Sequence, residues 1–229
     1  MSLFEMKNVT FTSRKFEVVD HVSLMIAKGS VTEFHGPSGG GKSTLLKMLA
    51  GIIIPVEGNV FYKSKDINLM SRQEDLVFRK ECAFVFQDSA LWANQTIIQN
   101  ILLPVQIHYP KITKEKQIEK VKKICDIVCY NKDMNLRPAD LSAGEQKKIA
   151  FARALVCEPS VLFLDECTAS LDDNASNNFI RILHEFMKEG NTIIYISHSE
   201  KFRWEFSGNL YEVKNGNVEL QSIDIDDLR

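Results

Sequence analysis

Gly36-Pro37-Ser38-Gly39-Gly40-Gly41-Lys42-Ser43-Thr44 fits the pattern G-x-x-x-x-G-K-[ST] at every fixed position. The spacing is that of a loop that wraps phosphate. Its glycines let backbone N–H groups turn inward, since no Cβ blocks the approach. Lys42 brings a point charge for β- and γ-phosphates, and the Ser43 hydroxyl can ligate Mg²⁺. Ser43-Thr44-Leu45-Leu46 opens a helix whose N-terminus favours an anion. The neighbouring residues agree. Ser30-Val31-Thr32-Glu33-Phe34-His35 reads as a short strand, and Thr44 to Ala50 as a helix closed by Gly51. Strand, loop and helix in this order predict an α/β core that binds nucleotide phosphates.

Ser160-Val161-Leu162-Phe163-Leu164-Asp165-Glu166 is an apolar run that ends in two carboxylates. Such a run suits a strand buried on both faces of a parallel sheet. Asp165 at its C-terminal end can hold Mg²⁺ directly or through water. Glu166, one residue on, can polarise a water aimed at a γ-phosphate. A core strand with a solvated acidic end is the bland alternative, and the phosphate loop upstream favours the nucleotide reading.

Leu141-Ser142-Ala143-Gly144-Glu145-Gln146-Lys147-Lys148, followed by Ile149-Ala150-Phe151-Ala152-Arg153-Ala154-Leu155, resembles the LSGGQ signature of the ATP-binding cassette (ABC) ATPases and the helix after it. The motif order also matches that family. It runs from the phosphate loop to Gln87 after Phe84-Val85-Phe86, then the signature, the acidic strand, Ser170-Leu171-Asp172 and Ile196-Ser197-His198. The resemblance spans roughly Leu3 to Val218. It implies a P-loop NTPase core with a mostly parallel sheet, an antiparallel β region and an inserted helical lobe. It implies ATP and Mg²⁺ as ligands, with Ser43, Gln87 and Asp165 at the metal. Glu166, His198 and Gln87 resemble the catalytic set, in which His198 contacts the γ-phosphate. Ser142, Ala143, Gly144 and Glu145 resemble the signature that meets nucleotide bound by an opposite subunit. Asp172 resembles the aspartate that communicates across the dimer.

The family likeness has departures. Ala143 replaces the first signature glycine and Glu145 the glutamine. A methyl group is expected to crowd close backbone approach, and a carboxylate to put negative charge near a phosphate; both changes would lower hydrolysis. Cys167 stands where the family usually has proline, and nothing in the sequence explains it. Ser13 aligns with the aromatic that normally stacks on adenine, with Phe11 and Phe16 as the nearby rings.

The chain has 229 residues, of which 45% are hydrophobic and 25% charged, an ordinary globular composition. A net charge of −2 gives no general attraction to nucleic acid or anionic lipid. No apolar stretch approaches the ~20 residues of a membrane span, and the N-terminus lacks a signal-peptide pattern. Cys82, Cys125, Cys129, Cys157 and Cys167 form no C-x-x-C pair and read as reduced thiols.

Along the chain, Leu3 to Val9 and Val18 to Ile26 alternate with period two, as antiparallel strands do. Pro55 to Tyr62 reads as a turn and a further strand. Ser71 caps a predicted helix through Lys80, with Glu74 at the capping-box spacing. Ile97, Ile101, Leu102 and Val105 mark one helix, and Ile118, Val121, Ile124, Cys125 and Val128 another within Thr113 to Tyr130. Asn174 to Glu189 is one more. Small strands around Asn215-Gly216 and an acidic tail, Asp224-Ile225-Asp226-Asp227, end the chain, with no room for the C-terminal regulatory domain of some import ATPases. One ABC ATPase domain over 1–229 is expected, with the core roughly at 1–87 and 157–229 and the helical, signature-bearing lobe at 88–156.

Two copies, or this chain and a similar one, are expected to close head to tail around ATP. The resemblance implies a cytoplasmic subunit, peripheral on the inner face of the cell membrane. Its partner would be a separate integral membrane permease, with no nucleic acid and no direct membrane insertion. A coupling helix of that partner would enter near Gln87-Asp88-Ser89-Ala90-Leu91-Trp92, with Trp92 either an exposed anchor or a core residue. A non-transport ABC ATPase that regulates a membrane complex, as in cell division, shares every motif and stays open on the sequence.

Overall fold

The structure, a computed structural model, describes residues 2–13, 16–168 and 171–221. Ser170, the tail from Asp224 to Asp227 and the Phe16 side chain lie outside the described residues. In chain order the elements are β1 (Ser2–Ser13), β2 (Phe16–Ala27), β3 (Val31–His35), α1 (Lys42–Leu49), β4 (Glu57–Tyr62), β5 (Lys65–Asp66), α2 (Arg72–Glu81) and β6 (Cys82–Val85). Then come α3 (Ile97–His108), α4 (Lys114–Ile127), α5 (Ala143–Leu155), β7 (Val161–Asp165), α6 (Asp173–Lys188), β8 (Thr192–Ile196), α7 (Glu200–Glu205), β9 (Asn209–Lys214) and β10 (Asn217–Gln221). They fall into two compact units, one formed by residues up to Asp75 and from Gly190 on, the other by Leu76–Glu189.

In the first unit, β2-β1-β4-β5 make the antiparallel sheet. The alternation expected for β1 is broken: its register against β2 shifts between Met6 and Val9, and again before Phe11. Asn8 and His21, both near φ +48°, absorb the shift as a bulge. β3 pairs in parallel with β8 and with β9, and β9 returns antiparallel as β10. Asn215 and Gly216 both take positive φ, as a two-residue hairpin turn between twisted strands requires. β3 and β8 are buried at nearly every position, which is why both read as unbroken apolar runs. α1 begins at Lys42, two residues before the start expected from sequence, because Gly41 already serves as its N-cap.

In the second unit, β6 and β7 pair in parallel, Cys82 opposite Val161 through Val85 opposite Leu164. All five residues of β7 are buried, as its composition predicts. α3 packs on α4 and α5. Ile97, Ile101, Val105, Val121 and Val128 are fully buried, whereas Leu102 is only half-buried. α4 stops at Ile127, short of Tyr130, because Cys129 turns left-handed at φ +55° and the Tyr130 N–H closes back on the Cys125 carbonyl. Phe151 of α5 stacks on Phe179 of α6 with ring centroids 4.1 Å apart. Ser71 and Glu74 exchange the two capping-box hydrogen bonds in front of α2. Among the described residues, no helix is long and apolar enough to cross a membrane.

Candidate functional site

β3 delivers the chain directly into Gly36–Gly41, and α1 follows without a gap. Two glycines are fixed by close approach as well as by φ. A Cβ on Gly36 (φ +133°) would sit 2.2 Å from the Val213 carbonyl oxygen, and one on Gly41 (φ +102°) 2.4 Å from that of Val18. The loop therefore owes these glycines to its own walls, and not only to the approach of a phosphate. Gly40, Gly41 and Lys42 are buried, Gly36, Ser43 and Thr44 half-buried, and Pro37, Ser38 and Gly39 exposed at the rim. Lys42 Nζ donates to the carbonyls of Gly36 (2.9 Å) and Pro37 (2.8 Å), which holds the ammonium across the loop. No side chain caps α1 and no acidic residue lies in its first turn. The dipole of this helix end favours an anion.

The same unit carries His198, exposed just beyond β8. The approach to it is braced. The single Tyr195 hydroxyl hydrogen is shared between Glu33 Oε2 (2.9 Å) and the Phe206 carbonyl (3.1 Å), and Arg203 Nε donates to Glu33 Oε1 (2.8 Å). Burial, then the Glu33 carboxylate, pushes the Tyr195 phenol far above its ordinary range, so it stays a donor. Ser13 is exposed at the end of β1, and Phe11 is half-buried.

In the second unit Asp165 closes β7 with 3% exposure. Glu166 follows in the left-handed region at φ +47°. Gln87 Nε2 donates to Glu166 Oε2 at 2.8 Å, so these two residues, 79 apart in sequence, meet. Beneath them Lys147 Nζ donates to the carbonyls of Gln87 (3.0 Å) and Glu166 (3.2 Å). Burial pulls the Lys147 ammonium below its ordinary range, against the opposing pull of Cys167, Glu166, Asp88 and Asp165. Cys167 is 3% exposed, and burial pushes its thiol up to about 12, so it stays protonated and packs as a small apolar group.

Ser142 is the N-cap of α5, and Glu145 completes a capping box with it. This revises the expectation for Glu145. Its carboxylate accepts from the Ser142 N–H (2.9 Å) and pairs with Lys132 (2.7 Å), and so is partly neutralised. Ala143 is exposed and Gly144 half-buried. Asp172 caps α6 by accepting from the Ala175 N–H at 2.7 Å.

Three residues were not singled out from the sequence. Lys147 is one. Arg153 donates to the carbonyls of Ala90 (2.9 Å) and Ser89 (3.0 Å) and lies 5.1 Å from the Trp92 ring centroid. Asn100, fully buried, holds the backbone of Trp92, Gln95 and Thr96. The one signal was a charge on an apolar stripe: Lys147, Ala150, Phe151 and Ala154 share a helical face and are all buried. Trp92 is 44% exposed and so is not a core residue, and with Gln95, Gln99, Leu102, Leu103 and Gln106 it borders a groove of ≈ 540 Å³.

Mg²⁺ takes few protein ligands and fills its shell with phosphate oxygens and water. Ser43, Gln87 and Asp165 each carry a hard oxygen of the kind it prefers, and a buried carboxylate such as Asp165 favours a cation. Among the described residues no cluster of three or more His, Cys, Asp or Glu gathers for a metal.

The pattern of the family described as ABC transporter matches residues 19–169. The chain is 31% identical over 218 residues to the methionine import ATP-binding protein MetN of Clostridioides difficile, covering 94% of this chain and 67% of that protein. It spans only 58% of the corresponding protein of Haemophilus ducreyi. An uncharacterized ABC transporter ATP-binding protein of Methanocaldococcus jannaschii is 31% identical over 221 residues, with 94% and 97% covered. Among solved structures, a dimeric ATP-binding cassette in a post-hydrolysis state bound to ADP and Pi superposes with TM-score 0.88 at 26% identity, covering 99% of both chains. With its phosphate loop, acidic strand and signature helix formed, the chain belongs to the ABC transporter family, as an ATP-binding subunit and ATPase.

Proposed function

We propose that this subunit binds and hydrolyses ATP with Mg²⁺ to drive transport through a separate membrane permease. Gly36 to Thr44 take the phosphates, with Lys42 moving from its two loop carbonyls onto the β- and γ-oxygens. Ser43, Asp165 and Gln87 would hold Mg²⁺, which would supply positive charge against the phosphates. Glu166 orients the attacking water and accepts its proton, and His198 steadies the γ-phosphate. Ser142 and Gly144 serve the nucleotide of an opposite subunit, so ATP closes a head-to-tail dimer and hydrolysis reopens it. Asp172 lies at that contact. The permease docks in the Trp92 groove, which places the subunit on the cytoplasmic face of the membrane. The relatives' names favour transport over the regulatory alternative.

The observation that carries this reading is the meeting of Gln87 and Glu166 at the end of the buried strand β7. Glu166→Gln is expected to keep ATP binding and to slow turnover by about 10²-fold or more, the usual range for loss of a general base. An ATP-bound dimer should then accumulate in size-exclusion chromatography. Wild-type turnover in that variant would exclude Glu166 as the base.

A further inference from the structure

We infer that Lys147 is a positioning residue for hydrolysis, holding the backbone of Glu166 and Gln87 to the helix that begins at the signature Ser142. The inference rests on the reading of Glu166 as the base. It starts from an unusual backbone. Glu166 is not glycine, yet it sits at φ +47°, a conformation L side chains rarely adopt and one that clusters at working sites. Something must hold it there.

Lys147 supplies the hold. Its side chain is on the buried face of α5, 6% exposed, and its ammonium reaches the Glu166 carbonyl at 3.2 Å and the Gln87 carbonyl at 3.0 Å. An ammonium has three donors and no acceptor, so one group can bind both oxygens at once. The two residues it grips are already joined above by the 2.8 Å bond from Gln87 Nε2 to Glu166 Oε2. The result is a closed ring of three side chains and two backbone segments. Within it, the direction of the Glu166 carboxylate is tied to the position of α5. Ser142 caps that helix, so a pull on the signature end reaches Glu166 through one side chain. A linkage through one side chain suits a base whose position must follow closure of a dimer.

A purely structural reading competes: Lys147 would only satisfy buried carbonyls. The two readings differ in kinetics. Lys147→Met keeps the length of the side chain and removes its donors; Lys147→Gln keeps a donor. Both are measured in the full chain for kcat and KM with ATP, beside Glu166→Gln and the double variant Lys147→Met/Glu166→Gln. The inference expects Lys147→Met to lower kcat about tenfold or more with KM changed less than about threefold, and Lys147→Gln to recover part of the loss. It also expects Lys147→Met to have no further effect once Glu166 is Gln, since both changes act through one group. Three results would overturn it: kcat within about twofold of wild type in Lys147→Met, a loss that appears in KM instead, or the full loss repeated on the Glu166→Gln background. If Lys147→Met does not fold, Lys147→Gln decides: a kcat loss with KM little changed that disappears on the Glu166→Gln background supports the inference, and wild-type kcat, or the same loss repeated on that background, overturns it. Normal turnover in Glu166→Gln would remove the reading beneath it. A slowed Glu166→Gln beside an unaffected Lys147→Met removes the Lys147 inference alone.

Discussion

At the scale of residues, the site is built from local exceptions. Gly36 and Gly41 are glycines because neighbouring carbonyls leave no room for a Cβ, and Glu166 keeps a left-handed turn although it is not glycine. Glu145 shows how one substitution changes meaning with its surroundings. Lys132 first, then the Ser142 N–H, holds its carboxyl down at about 2, against an ordinary 4.5. A depressed folded value means that this carboxylate's contribution to stability is present above pH 4.5 and is lost as pH falls toward 2. Lys132→Ala is therefore expected to raise the Glu145 carboxyl toward 4.5 in an NMR pH titration. A value still at about 2 would show that the capping box alone holds it.

At the scale of elements, the strands and helices follow their patterns until a local hydrogen bond or a bulge intervenes. The β1 bulge at Asn8 and the early stop of α4 at Cys129 both come from left-handed residues, which hydrophobic periodicity does not register. The segment between Gln87 and α3 is held by Arg153 at Ser89 and Ala90 and, nearer α3, by one buried amide. Asn100 Oδ1 accepts from the Trp92 N–H at 2.8 Å, while Nδ2 donates to the carbonyls of Trp92, Gln95 and Thr96. Asn100→Ala takes this partner from the Trp92 N–H and the Gln95 carbonyl, while the Trp92 and Thr96 carbonyls keep the Gln95 and Asn100 N–H groups, at a cost of about 1–3 kcal/mol. Denaturant unfolding should show that loss, together with a red shift of Trp92 fluorescence as its loop loosens. Wild-type stability would mean that the loop finds other partners.

At the scale of the whole molecule, the proposed cycle separates binding from closure. Lys42→Ala removes the loop's cation, so nucleotide affinity and hydrolysis should both collapse in equilibrium binding and turnover assays. Ser142→Arg should leave ATP binding by the monomer intact, because the proposed cycle gives Ser142 to the opposite subunit's nucleotide. It should also prevent the ATP-dependent dimer in size-exclusion chromatography. If Ser142→Arg weakens monomer binding as much as Lys42→Ala does, the head-to-tail arrangement is wrong.

The phosphate loop, the acidic strand and the signature were legible in the sequence because each is contiguous. Its chemistry is set by residues next to one another, and each falls between a recognisable strand and helix. The antiparallel region, the parallel core and the helical segments were legible for the same reason: burial on one face or on both leaves a period in the chain. Only the tertiary structure decided which distant groups meet. Lys147 lies 60 residues from Gln87 and 19 from Glu166, and Gln87 lies 79 from Glu166, so no local pattern couples them. Lys147 reads as one more charged residue of α5 until folding buries it, and then its ammonium must find acceptors or lose its solvation uncompensated. The nearest acceptors are the two carbonyls turned toward it, one of them by a backbone angle that no sequence period reveals.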